Sequence, residues 1–73
     1  MKEMGSETLR LRRLIERWAE HNDEHMARFR ESAEEAERLG FTEAAEKLRR
    51  ASEDASKVSE RLREALQALG EHN

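Results

Sequence analysis

The residues of this 73-residue chain best suited to chemistry lie between Trp18 and Phe29, in the run Trp-Ala-Glu-His-Asn-Asp-Glu-His-Met-Ala-Arg-Phe. His21 and His25 are one helical turn apart, the i, i+4 spacing that lets two imidazoles hold one ion in helical zinc sites, and two chains would supply four such ligands. The expected ion is a divalent transition metal, zinc or nickel, since imidazole suits both. The same residues also have a structural reading. A polar side chain in an otherwise apolar seam fixes register and oligomeric state, because misregistered packings leave it unpaired. Asn22 and His25 fall on the apolar stripe whereas His21 lies about 80° off it at 100° per residue, so the sequence puts the polar layer ahead of the metal site.

Other chemistries find no residues to carry them. A ferritin-like di-iron centre needs a glutamate three residues before its histidine, and those places hold Trp18 and Asn22. No carboxylate falls on the inner stripe of either expected helix, and there is no nucleophile with its base and no glycine-rich phosphate loop. The expectation is a protein that is not an enzyme and has no assured cofactor. Arg10, Arg12, Arg13 and Arg17 form the one basic cluster, interleaved with Glu7, Glu16 and Glu20. They read as a solvated face, and the net charge of −3 gives no general attraction to nucleic acid or an anionic membrane. Trp18 reads as a core anchor or interface hot spot, and Met26 as a gap-filler at the stripe's shoulder.

The elements that must position these residues follow from composition and period. Hydrophobic residues make up 36% and charged residues 42% of the chain, with no proline, no tyrosine and no cysteine, the make-up of long helices with charged outer faces. Disulfides and thiolate metal sites are thereby excluded. The beginning has no apolar segment of a signal peptide and no run long enough to span a bilayer, so a cytoplasmic protein is expected. Residues 1–5 read as a frayed lead, with Ser6 capping a first helix over about 7–39. Its stripe is Leu11, Ile15, Trp18, Asn22, His25, Phe29, Ser32 or Ala33, and Ala36. Gly40 ends it, Phe41 is expected to fold back over the turn, and Thr42 caps a second helix over about 42–69 that stops at Gly70. That helix carries Ala44, Leu48, Ala51, Ser52, Ala55, Ser59, Leu62, Leu66 and Leu69 on one face. Five acid-to-base pairs at i, i+4, Glu24–Arg28, Glu34–Arg38, Glu43–Lys47, Glu46–Arg50 and Glu53–Lys57, support helix by about 0.2–0.5 kcal/mol each.

The fold expected is all-α: one domain over 1–73, an antiparallel two-helix hairpin that dimerises into a four-helix bundle. A rival breaks helix one at Asn22-Asp23 to give three helices, but the stripe passes residue 22 without a phase shift. Across the turn Asn22 comes near Ser59, His25 near Ser56, and Phe29 faces Ser52. A core of this size rarely supplies more than about 3–5 kcal/mol, and a second copy is the simplest remedy for the uncovered side of each stripe. An antiparallel dyad near residue 23 would bring two copies of His21, Asn22 and His25 together.

The pattern Trp18-x-x-His21-Asn22-x-x-His25, followed by Phe29, Ala33, Ala36 and Gly40, resembles a group of small uncharacterised prokaryotic helical-hairpin proteins. The resemblance implies that the three polar residues act together, and it implies no activity. The function expected is a non-enzymatic, homodimeric helical module. Its alternatives are a transition-metal-binding or metal-sensing protein using His21 and His25 from two chains and, behind that, an adaptor for another protein.

Overall fold

The computed structural model of the chain describes residues 2–70, with side chains from residue 5 onward. Two helices, α1 (Lys2–Arg38) and α2 (Thr42–Gly70), pack antiparallel into a rod of 58 × 15 × 10 Å. α1 runs unbroken through Asn22-Asp23. It starts earlier than expected: Lys2 to Gly5 are helical, so Ser6 is an interior residue and not a cap. Lys2, Glu3 and Met4 are good helix formers, and Gly5 alone, at about 1 kcal/mol, does not stop them. Met1 and residues 71–73 lie outside the described residues.

The turn closes the α1 carbonyls in a Schellman arrangement, with Phe41 N–H donating to Ala36 O at 2.8 Å and Gly40 N–H to Glu37 O at 3.0 Å. Gly40 takes φ 91°, a region that costs a side chain strain. The first bond of α2 runs from Ala45 N–H to the Phe41 carbonyl at 2.9 Å. Phe41 therefore occupies the cap place and Thr42 is the first helical residue. The Phe41 ring does not fold back over the hairpin end: it is exposed, as is Leu39.

The contact between the helices follows two regular seams. Along α1 the seam is Arg12, Ile15, Ala19, Asn22, Met26, Phe29, Ala33 and Ala36, and along α2 it is Ala45, Leu48, Ser52, Ala55, Ser59, Leu62, Leu66 and Leu69, all buried or half-buried, with Asp23, Ala51 and Gly70 half-buried beside it. Both sets alternate steps of three and four, the period of helices coiling around each other with a left-handed twist. This seam differs from the expected stripe. It keeps Ile15, Asn22, Phe29, Ala33 and Ala36 but takes Arg12, Ala19 and Met26 in place of Leu11, Trp18 and His25, and on α2 Ala45 is buried where Ala44 was expected.

Residue sizes explain the shift. The register that joins Asn22 to Ser59 places Ala19 level with Leu62, Met26 with Ala55, Phe29 with Ser52 and Ala33 with Leu48. Each of these layers sets a small side chain against a large one, which lets the backbones approach. The approach is close enough for side chains of one helix to reach main-chain carbonyls of the other: Ser52 Oγ–H donates to Met26 O at 3.2 Å and Asn22 Nδ2–H to Ala55 O at 2.5 Å. Trp18 in place of Ala19 would wedge the helices apart.

The resulting core is thin. Its buried apolar residues are Ile15, Ala19, Ala33, Ala45 and Ala55, and among the described residues no large side chain is fully buried. Because Ala33 is 0% exposed, Ala33→Leu is expected to destabilise the fold by about 1–3 kcal/mol, read by thermal or urea unfolding. The same substitution at exposed Ala27, on the outer side of α1, should change stability by no more than about 0.5 kcal/mol.

Candidate functional site

Midway along the hairpin a chain of hydrogen bonds crosses from seam to surface. Asn22 Nδ2–H donates to Ser59 Oγ at 2.8 Å, and Ser59 Oγ–H donates to Asp23 Oδ1 at 2.5 Å. The Arg63 guanidinium then grips the same carboxylate, Nη2 to Oδ2 at 2.6 Å and Nη1 to Oδ1 at 3.4 Å. Ser59 is buried, Asn22 and Asp23 half-buried, and Arg63 exposed, so polarity is handed outward in steps. Among the described residues no buried side-chain nitrogen or oxygen lacks a partner. An amide left unpaired there would cost roughly 1–3 kcal/mol, and this relay removes that cost.

Asp23 follows Asn22 and Arg63 follows Leu62, so the pair bridges the groove on the side reached by stepping one residue past the seam. A second bridge, Arg49 to Glu37, lies on that same side nearer the turn, since Glu37 follows Ala36 and Arg49 follows Leu48. That flank is thus latched by two cross-helix ion pairs. The Asp23 carboxyl is held below its ordinary pKa, first by the hydrogen bond from Arg63 and then by that from Ser59.

The opposite flank has another character. One residue before the seam stand Leu11, Trp18, His25 and Ser32 on α1, and Ala44, Ala51, Val58 and Ala65 on α2. Antiparallel packing puts both columns on one side of the hairpin. Leu11, Leu14, Trp18 and Val58 are 44%, 39%, 49% and 48% exposed there. His21 and His25 are exposed beside them, their Nε2 atoms 3.1 Å apart and their rings edge-on at a centroid distance of 4.5 Å. His25 also stacks on Phe29, at 6.0 Å and 26° between planes, and His21 Nδ1 lies 3.9 Å from Glu24 Oε1.

The structure therefore divides the expected polar layer. Asn22 and Ser59 meet in the seam and Ser52 bonds across it, whereas His25 faces outward on the open flank. Ser56 is exposed one residue beyond Ala55, on the latched flank, so His25 and Ser56 lie on opposite sides of the hairpin. Trp18 is not part of the intrachain core. Asp23 and Arg63 were missed by inspection of single helices, because their pairing depends on the interhelical register. Of the expected i, i+4 pairs Glu46–Arg50 forms, at 3.2 Å. Among the described residues no three His, Cys, Asp or Glu side chains group so as to hold a metal ion, and no helix is long and apolar enough to cross a membrane.

Fold and site together define a two-helix hairpin with one charge-latched flank and one apolar flank. A family model described as a domain of unknown function, DUF8180, matches residues 11–69, and the chain belongs to that family. No curated protein and no solved structure matches it.

Because Asp23 is depressed in the folded state, the unfolded chain binds more protons between the two pKa values. The latch contributes its full stability above the unfolded carboxylate pKa and loses it as pH falls through the folded one. Asp23→Asn should therefore be less stable than wild type at pH 7, with the difference narrowing below about pH 4, the unperturbed range of an Asp. Urea unfolding of both proteins from pH 7 to pH 2 checks this, and a gap that stays constant would refute it.

Proposed function

We propose that this protein is a non-enzymatic self-associating module in which two hairpins join through their apolar flanks as an antiparallel four-helix bundle. The observation that carries the reading is a second seam on α1. Leu11, Leu14, Trp18, His21 and His25 also alternate steps of three and four, and on an ideal helix their mean direction stands roughly 90° from the seam that meets α2. A helix in a four-helix bundle touches two neighbours about a quarter-turn apart, so α1 carries one seam for α2 and another for a further helix.

A second copy is the occupant best matched to that seam. The same surface on both partners must be self-complementary about a dyad, and α1 packed antiparallel on its own copy about residue 23 lays His21 against His25 and sets Trp18, Leu14 and Leu11 level with the stem of Arg28, the small Ser32 and the stem of Glu35, with one cation and one anion from each chain. The rod's broad side, 58 by 15 Å, is of the order of the ~800 Å² that each partner buries in a standard interface. The thin intrachain core supplies the need: burying the half of Trp18 that one chain leaves exposed is worth about 1 kcal/mol on transfer energies of large apolar side chains. The latched flank has its charges matched within one chain and offers no comparable surface.

Sedimentation equilibrium tests the proposal. Wild type should be a dimer whose melting temperature rises with protein concentration, whereas Trp18→Glu and Val58→Lys should each sediment as monomers of lower stability. In a monomer these half-exposed positions would tolerate polar residues within about 0.5 kcal/mol. A monomeric wild type, or dimers undisturbed by either substitution, would overturn it.

A further inference from the structure

On the dimer reading, we infer that His21 and His25 form half of a divalent transition-metal site that a second copy of the chain completes. Two nitrogens bound to one tetrahedral ion at about 2.0–2.1 Å stand about 3.3 Å apart. The Nε2 atoms of His21 and His25 share a hydrogen bond at 3.1 Å, close to that spacing, so an ion that replaces the shared proton needs the rings only to turn their nitrogens toward a common point. Both imidazoles are exposed, and neither needs to be drawn out of the intrachain core.

What surrounds the rings sets their orientation. His25 is laid against Phe29 at 26° between planes, which restricts its rotation. The Glu24 carboxylate lies on the Nδ1 side of His21, at 3.9 Å. At 3.9 Å the carboxylate makes no direct hydrogen bond, and its charge on the Nδ1 side leaves Nε2 as the nitrogen that faces His25 and a shared ion. Glu24 is not itself a ligand of this site, because it faces Nδ1 and not Nε2 of His21.

One hairpin supplies two ligands, and two imidazoles alone hold an ion weakly. The missing ligands come from symmetry. The Nε2 atoms converge at about the level of residue 23, and a dyad crossing α1 at that level brings the partner copy's pair to the same point. The result is four neutral imidazoles around one ion, a donor set suited to Zn²⁺, Ni²⁺ or Co²⁺ rather than to Ca²⁺ or Mg²⁺, which prefer oxygen. This places the dyad about three residues from the middle of α1, a shift that leaves most of the two helices overlapped.

Calorimetric titration of the full chain with Zn²⁺, alongside sedimentation with and without the ion and visible absorption with Co²⁺, tests the site. Expected are one ion per two chains, a tetrahedral Co²⁺ spectrum, and loss of saturable binding in both His21→Ala and His25→Ala. Those two variants should keep wild-type helicity by circular dichroism, and titration at a protein concentration where sedimentation shows each to be dimeric separates loss of the ion from loss of the dimer; His25→Gln serves as a second check should the alanine variant misfold. A wild-type dimer without saturable binding, or binding undiminished in either variant, overturns the metal site and leaves self-association standing. One ion per chain overturns the shared centre. A chain that stays monomeric with and without Zn²⁺ overturns both.

Discussion

Everything in this hairpin depends on how closely its two helices approach. Small residues, Ala19, Ser52, Ala55 and Ala33, sit level with Leu62, Phe29, Met26 and Leu48, and each layer therefore holds about one large side chain. Close approach lets Ser52 and Asn22 bond to carbonyls of the opposite helix, and it leaves no room for an indole. The cost is a core made largely of alanine. Burial of apolar area at about 25 cal/mol per Å² gives such a core little to set against the chain entropy of 73 residues. The large apolar groups that could redress this, Trp18, Leu11, Leu14 and Val58, have been turned to one flank together.

Asn22 lies at the centre of this arrangement and would be a liability if the helices slid. Moving α2 by one turn would take Ser59 away from the amide and leave Asp23 and Arg63 without each other, since all four residues are linked in one relay. Slip by a turn in one direction would also set Phe29 against Leu48 and Ile15 against Leu62. Polar pairing and size alternation thus select the same register, which is the agreement between local and global preferences expected of a sequence with one structure. The relay ends in a carboxylate–guanidinium pair open to solvent. Its contribution is consequently screened by salt and is one of position more than of strength.

Much of this was legible in the sequence. Period and glycine spacing indicated two long antiparallel helices turning at Gly40, and Asn22 and Ser59 could be paired from the turn alone. The phase of the α1 seam could not be read in that way. Ile15, Asn22, Phe29 and Ala36 belong to two candidate stripes, one completed by Leu11, Trp18 and His25 and the other by Arg12, Ala19 and Met26. Hydrophobicity favours the first, because tryptophan and leucine outweigh alanine and arginine on any transfer scale. The choice is made instead by volume: α2 contributes leucines at Leu48 and Leu62, and alanine is what fits between them. Size complementarity is a property of two helices in register, invisible in either one alone. The same limit hid Asp23 and Arg63, whose partnership spans 40 residues of sequence.

The two flanks also constrain what kind of assembly the hairpin could enter. Were both flanks apolar, hairpins could add side by side without end, a route to open sheets of helices. Here Glu37–Arg49 and Asp23–Arg63 occupy one flank with charges matched inside the chain, so a neighbour docking there would have to desolvate them for no new partner. On the proposed reading, association through the remaining flank would consume the larger apolar surface of both participants at once and leave the latched, charged sides outward, so that such contact would terminate at two copies. The ion pairs would then limit growth as well as fix register, and the histidines, lying on the flank that is consumed, would be enclosed by the step that ends it.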